Sequence, residues 1–141
     1  MPNGRTHDII TAATTPVVGA ITYSITKDIK TTSIIVSCFL FASLMFNGDL
    51  DVESRPYRRW FILKFIWLPY QSMFPHRSIF THGLIIGTVI RLLYLGLIPF
   101  LVILFKGELQ VLASIPLNVM LLSFIGLELG SAIHTISDKI F

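Results

Sequence analysis

Four histidines and a handful of aspartates hold the chemistry of this chain. His7 and Asp8 lie near its start, Asp49 and Asp51 in Gly48-Asp49-Leu50-Asp51, His76 and His82 around Arg77-Ser78-Ile79-Phe80-Thr81, and His134 and Asp138 near the end. Imidazole with carboxylate is the ligand set of zinc, manganese or iron(II), and does not suit calcium or copper(I). The spacings favour convergence. His134 and Asp138 are four apart, one side of a helix. Asp49 and Asp51, in an extended or turn conformation, would share a side with Leu50 opposite. Four imidazoles and three or four carboxylates exceed what one tetrahedral ion needs, so one or two ions are expected.

The elements that must position these groups are apolar. Of the 141 residues, 53% are hydrophobic and only 13% charged. That is about half the charged share of a soluble domain. Mean hydropathy is +0.74. The apolar residues fall into blocks near 9–26, 31–47, 84–105 and 109–133. A membrane-crossing helix needs about 20 residues. The last two blocks meet this easily; the first two are marginal and could form a hairpin. The expected fold is an all-α integral membrane bundle of about four spans in a single domain, residues 1–141. Between the second and third blocks, Tyr57 to Tyr70 carries aromatic and basic residues at its ends. It is too short to span, and reads as one amphipathic interfacial helix near 57–70.

With four spans, all four histidines fall at span ends on one face. That face carries Arg5, Arg55, Arg58, Arg59, Lys64, Arg77 and Lys139, against Lys27, Lys30 and Lys106 on the other. Seven basic residues against three place it in the cytoplasm. Gly83 and Gly87, with Gly126 and Gly130, form small-xxx-small pairs expected to bring spans three and four together. Arg91 and Glu128 lie inside apolar blocks, where a structural pair is the leading reading, beside snorkelling or a lipid phosphate. No basic polar domain with interleaved aromatics is present, so no nucleic-acid partner is expected. The lone Cys38 has no internal disulfide partner.

Ordinary readings exist for each motif. Asn-Gly-Asp is common turn chemistry, and Asp8 could simply stabilise a helix N-terminus. The order of the motifs tells against taking them singly. Gly4-Arg5-Thr6-His7-Asp8, Gly48-Asp49-Leu50-Asp51, His76-Arg77-Ser78-x-x-Thr81-His82-Gly83 and His134-x-x-x-Asp138 together resemble a bacterial family of uncharacterised metal-binding membrane proteins. The element from His76 to His82 also resembles that of membrane-bound metal-dependent hydrolases. The resemblance implies metal ligands at His7, Asp49, Asp51, His76, His82, His134 and Asp138, in a multi-pass protein of a bacterial-type inner membrane. A fainter likeness is to zinc-dependent phospholipase C, as analogy alone.

Two functions are expected from these residues. The first is a hydrolase of an ester or phosphoester at the cytoplasmic membrane surface, with Zn or Mn (or Fe), Asp8 as general base, and Arg77 or Arg5 on an anionic group of a lipid-like substrate. The second is a non-catalytic metal-binding subunit or assembly factor of a larger membrane complex.

Overall fold

The computed structural model describes residues 4–140, and among these there is no strand. Helix α1 (Gly4–Thr26) turns at Lys27 and Asp28 into α2 (Ile29–Met45). Threonines are tolerated in α1 because their hydroxyls bond back to it: Thr14 Oγ1 donates to the Ile10 carbonyl at 2.8 Å and Thr15 Oγ1 to Thr11 at 2.6 Å. Hydroxyls bonded in this way are satisfied within the helix. Asp28 caps α2, accepting from the backbone N–H of Thr31 at 2.9 Å and of Lys30 at 3.2 Å. The Thr31 hydroxyl and these amides hold its carboxyl below the usual aspartate range.

Helix α2 ends in a 3-10 turn, Gly48–Asp51. A chain of short pieces follows: α3 (Arg55–Arg58), a 3-10 helix (Phe61–Trp67) and α4 (Leu68–Met73). The expected single helix over 57–70 is thus three pieces. The chain breaks at Phe61, whose φ is +50°, so that Trp60 can turn its indole N–H onto the Met45 carbonyl at 2.8 Å. The segment is nevertheless two-faced. Trp67 and Tyr70 are wholly buried, while Phe61, Ile62 and Phe65 are exposed.

Then come α5 (Ile79–His82), α6 (Ile86–Lys106), α7 (Gln110–Ala113) and α8 (Leu117–Ile140). The fourth apolar block is therefore split ahead of Pro116, and its long helix runs past His134 and Asp138 to Ile140. Asp138 is held on intact helix as a result. Helices α1, α6, α8 and the stretch Ile29–Asp51 are long and apolar enough to cross a membrane. Leu93, Leu97, Ile98 and Phe105 of α6 all face outward, the reverse of a soluble helix.

The core sits at the end of the bundle opposite the Lys27–Asp28 turn. Trp67 is its centre, with ring centroids 5.2 Å from Trp60, 5.5 Å from Tyr70, 5.7 Å from Tyr94 and 5.9 Å from Phe46. Ala42, Leu50, Tyr57 and Leu127 complete it.

The glycines pair differently from expectation. Gly126 and Gly130 meet α2, not α6: a Cβ there would lie 2.5 Å from the carbonyl oxygens of Ile35 and Phe39 respectively. Gly83 and Gly87 are packed by the carbonyls of Ile79 and Thr81 in the turn just before α6. The small-residue stripe on α8 serves the parallel neighbour that lies against it, where the two helix backbones approach closely. Arg91 and Glu128 also part company. The Arg91 guanidinium, 1% exposed, donates to the Thr81 carbonyl at 2.6 Å, Ser131 Oγ at 2.9 Å and Thr88 Oγ1 at 3.1 Å. A Glu128 carboxylate oxygen instead accepts from the Ile85 backbone N–H at 2.8 Å.

Candidate metal centre

Three elements bring four groups to a common point. Asp49 comes from the 3-10 turn after α2, His82 from α5, and His134 and Asp138 from α8. One ligand atom of each lies within 4.8 Å of all the others. Asp49 Oδ1 is 3.3 Å from His134 Nε2 and 3.4 Å from His82 Nε2; His134 Nε2 is 3.6 Å from Asp138 Oδ2. Four donors at the corners of a tetrahedron with bonds of about 2.05 Å would stand about 3.4 Å apart. The three edges match that length.

Burial makes the arrangement demanding. His134 is 3% exposed. Among the described residues, neither of its ring nitrogens, nor Asp138 Oδ2, has a hydrogen-bond partner. Buried polar atoms without partners are rare and costly. A cation seated between them would satisfy Nε2 and Oδ2 together, so the residues present fit a divalent metal.

His7 joins from α1. Its Nε2 is 3.2 Å from Asp138 Oδ1, its Nδ1 is 2.7 Å from the Ser137 hydroxyl, and its ring lies 4.3 Å from that of His134. It therefore borders the cluster through a carboxylate that belongs to it. That α1 begins as early as Gly4 makes this contact possible, since it puts His7 on ordered helix.

Asp51 and His76 lie to one side. Asp51 Oδ1 is 2.8 Å from His76 Nδ1, and Oδ2 accepts from the Arg77 backbone N–H at 3.2 Å and lies 3.6 Å from His82 Nδ1. The two aspartates thus meet opposite nitrogens of His82 and otherwise face different partners, contrary to the expectation of a shared side. The 3-10 turn accounts for this: about three residues per turn leave residues two apart pointing in different directions. Asp51 is placed to orient His82 and His76 from behind, as carboxylates commonly orient metal-ligating imidazoles. His76 itself is exposed.

Asp8 stands outside the cluster. Its oxygens accept from Arg55 and Arg59, each at 2.8 Å, which ties α1 to the segment after the 3-10 turn. It lines, with His7, Asp49, His134 and Asp138, a cavity of about 150 Å³. Arg77 stands at a second cleft, of about 330 Å³, lined also by Ile79, His82, Gly83, Thr135, Asp138 and Lys139. Its φ of +60° is unusual for a residue with a side chain.

Sequence reasoning overlooked several supporting residues. Gly48 gives the His82 ring its place: a Cβ would stand 2.7 Å from Cδ2 and 2.8 Å from Nε2. Thr81 Oγ1 lies 3.0 Å from His82 Nδ1. Asn47, wholly buried, donates to the Ser43 carbonyl at 2.8 Å and accepts from the Asp49 N–H at 3.2 Å, fixing the turn. The adjacency of Asn47-Gly48 to the aspartates and of Thr81 to His82 was the available signal.

Comparison with known proteins agrees with this geometry. A family described as "Uncharacterized metal-binding protein (DUF2227)" matches residues 2–141. An uncharacterized protein of Aquifex aeolicus (strain VF5) is 40% identical over 58 residues, a stretch that covers 40% of this chain and 40% of that relative. The aligned part of the chain thus spans less than half the relative's length. No solved structure matches.

Proposed function

The chain belongs to this family of uncharacterized metal-binding proteins, and from that premise we propose a membrane metalloprotein that hydrolyses an ester or phosphoester at the cytoplasmic bilayer surface. Asp49, His82, His134 and Asp138 would hold one divalent ion, zinc or manganese ahead of iron. The observation that carries the metal site is the pair of partnerless buried atoms His134 Nε2 and Asp138 Oδ2, inside a set of donors at coordination spacing.

A bound ion of this kind supplies Lewis acidity and makes water nucleophilic near neutral pH. The chain's own groups do the rest. Asp51 and Thr81 fix the His82 ring from its Nδ1 side. Asp8 is taken up by Arg55 and Arg59, so the proton-carrying role passes to His7. That imidazole lines the cavity of the cluster with Nε2 against Asp138 and Nδ1 oriented by Ser137. A histidine so held is a suitable acid–base group. His76 with Asp51 supports the centre, and a second ion there would need a further ligand beyond this pair.

The orientation rests on charge and the lipid contact on surface. Arg5, Arg55, Arg58, Arg59, Lys64, Arg77 and Lys139 share the site's end of the bundle, which the positive-inside rule assigns to the cytoplasm. The exposed Phe61, Ile62 and Phe65 suit contact with the headgroup region. Kinship with membrane-bound metal-dependent hydrolases, and the absence of a nucleic-acid partner, are parts of the same proposal.

A second reading is a non-catalytic subunit or assembly factor of a larger complex. It is favoured by the four-donor set itself, which at tetrahedral spacing already fills the coordination sphere, as in structural sites. Elemental analysis of detergent-purified protein, followed by an ester and phosphoester panel, separates the two. One equivalent of metal with turnover supports the hydrolase; stoichiometric metal with no cleavage across the panel leaves the second. No metal after reconstitution sinks both.

A further inference from the structure

We propose that the cleft beneath Arg77 and Lys139 is a binding subsite for the phosphate group of an organic phosphoester. The inference deepens the metal reading above and rests on it for the reaction, though not for the binding. The two openings onto the cluster differ in kind. On the smaller side the guanidiniums of Arg55 and Arg59 are neutralised by Asp8. On the larger side, the side chains of Arg77 and Lys139 form no ion pair or hydrogen bond among the described residues. Even the exposed Arg58 is paired, with Glu53 at 3.5 Å. Two unneutralised cations therefore stand at the mouth of a cleft whose floor includes His82 and Asp138.

Three features tie that mouth to the cluster. Arg77 is held at φ +60°, a conformation that costs energy in any residue with a Cβ and persists only where its surroundings demand it. The demand is visible: its backbone N–H is bonded to Asp51 Oδ2, the carboxylate behind His82. Lys139 directly follows Asp138, so its backbone position is tied to a cluster residue. The cleft, about 330 Å³, lies at the small end of the range for small-molecule sites. It has room for a phosphate and a few further atoms.

Charge selects the ligand class. Two cationic side chains and a metal ion best match a group carrying about two negative charges, as a phosphate monoester does. A carboxylate carries one. Arginine also offers a planar fork to phosphate oxygens. Ile79, Leu84 and Ile85 are exposed at or next to the same turn, leaving an apolar rim where the ester's carbon portion would leave the cleft. A lipid chain and a small soluble group both fit that exit, and the phosphate contact is the same in both.

The test is calorimetric titration of inorganic phosphate into the full-length protein in detergent, with metal content measured on the same samples. Wild type, Arg77→Gln, Lys139→Gln and Arg58→Gln are compared. Saturable binding is expected in wild type and Arg58→Gln. About tenfold weaker binding is expected in each of Arg77→Gln and Lys139→Gln, the usual cost of one charge-assisted hydrogen bond, with metal content unchanged. Metal retained but phosphate unbound, or bound equally by all four proteins, overturns the subsite. Phosphate bound through Arg77 and Lys139 in protein without metal keeps the subsite and overturns the metal reading. Neither metal nor phosphate overturns both. Repeating the titration with dihexanoyl phosphatidate and with glycerol phosphate separates the sources: tighter binding of the first identifies a lipid headgroup, equal binding a soluble ester.

Discussion

The His82 imidazole lies flat on Gly48, so close that a Cβ at residue 48 would stand within 2.9 Å of three of its ring atoms. Sterics rather than backbone freedom demand glycine here. Gly48→Ala should push His82 from its place between Asp49 and Asp51 while leaving the helices intact. Metal affinity is expected to fall about 10- to 100-fold, the usual effect of disturbing a ligand's support. Competition with a chelator measures this, and an unchanged circular dichroism spectrum shows that the fold survives.

The ligand groups divide into two tiers. His134→Ala and Asp49→Ala should each abolish stoichiometric metal, since both belong to the four-group cluster. His76→Ala should only weaken binding, about tenfold, because His76 bonds Asp51 and meets the cluster only through its ring edge against His82, 5.6 Å between centroids. Elemental analysis decides it. Complete loss of metal in His76→Ala would make that histidine a direct ligand and point to a second ion.

Removing the ion should destabilise the protein. Ligands that bind only the folded state add about 2.7 kcal/mol at a concentration of 100 Kd. Chelated protein should therefore melt at a lower temperature than loaded protein, and re-addition of zinc or manganese should restore the higher value. His134→Ala should show no such difference between the two states.

Arg91 touches the residues that lead into three ligand-bearing segments: the Thr81 carbonyl before His82, Ser131 one turn before His134, and the Phe46 ring ahead of Asp49, 5.5 Å from the guanidinium carbon. Arg91→Met would leave three buried acceptors unpaired. With hydrogen bonds to charged groups contributing about 1.5–3 kcal/mol each, a loss of about 3 kcal/mol or more is expected. Denaturant unfolding in mixed micelles measures it. Arg91→Lys should recover part of that stability but not the bridging to both Thr81 and Ser131.

Gly130→Ala tests the α2–α8 contact. A Cβ there would lie 2.5 Å from the Phe39 carbonyl oxygen and 2.8 Å from the Ala42 Cβ, so the helices must separate. Overpacking of this kind costs about 1–3 kcal/mol. The variant should melt earlier than wild type, whereas Gly96→Ala, in open space, should match it.

Much of this architecture was readable before any coordinates. Apolar blocks of about 20 residues have few options, since every backbone polar group must be satisfied within the segment; the four long helices and their order follow. The placing of all four histidines at one end follows in turn, because each lies at the edge of a block. Helical spacing alone put His134 and Asp138 on one side. What only the tertiary structure decided is which groups meet across elements. Gly126 and Gly130 face α2 and not α6. Asp49 turns to His134 and Asp51 to His76, with His82 between them. Asp8 is held by Arg55 and Arg59, and Arg91 bonds Thr81 and Ser131 while Glu128 takes the Ile85 amide. Local spacing sets the direction of a side chain within its own element. Its partner depends on how the elements pack and how the turns between them are wound, and those are settled by many small contacts distributed over the whole chain.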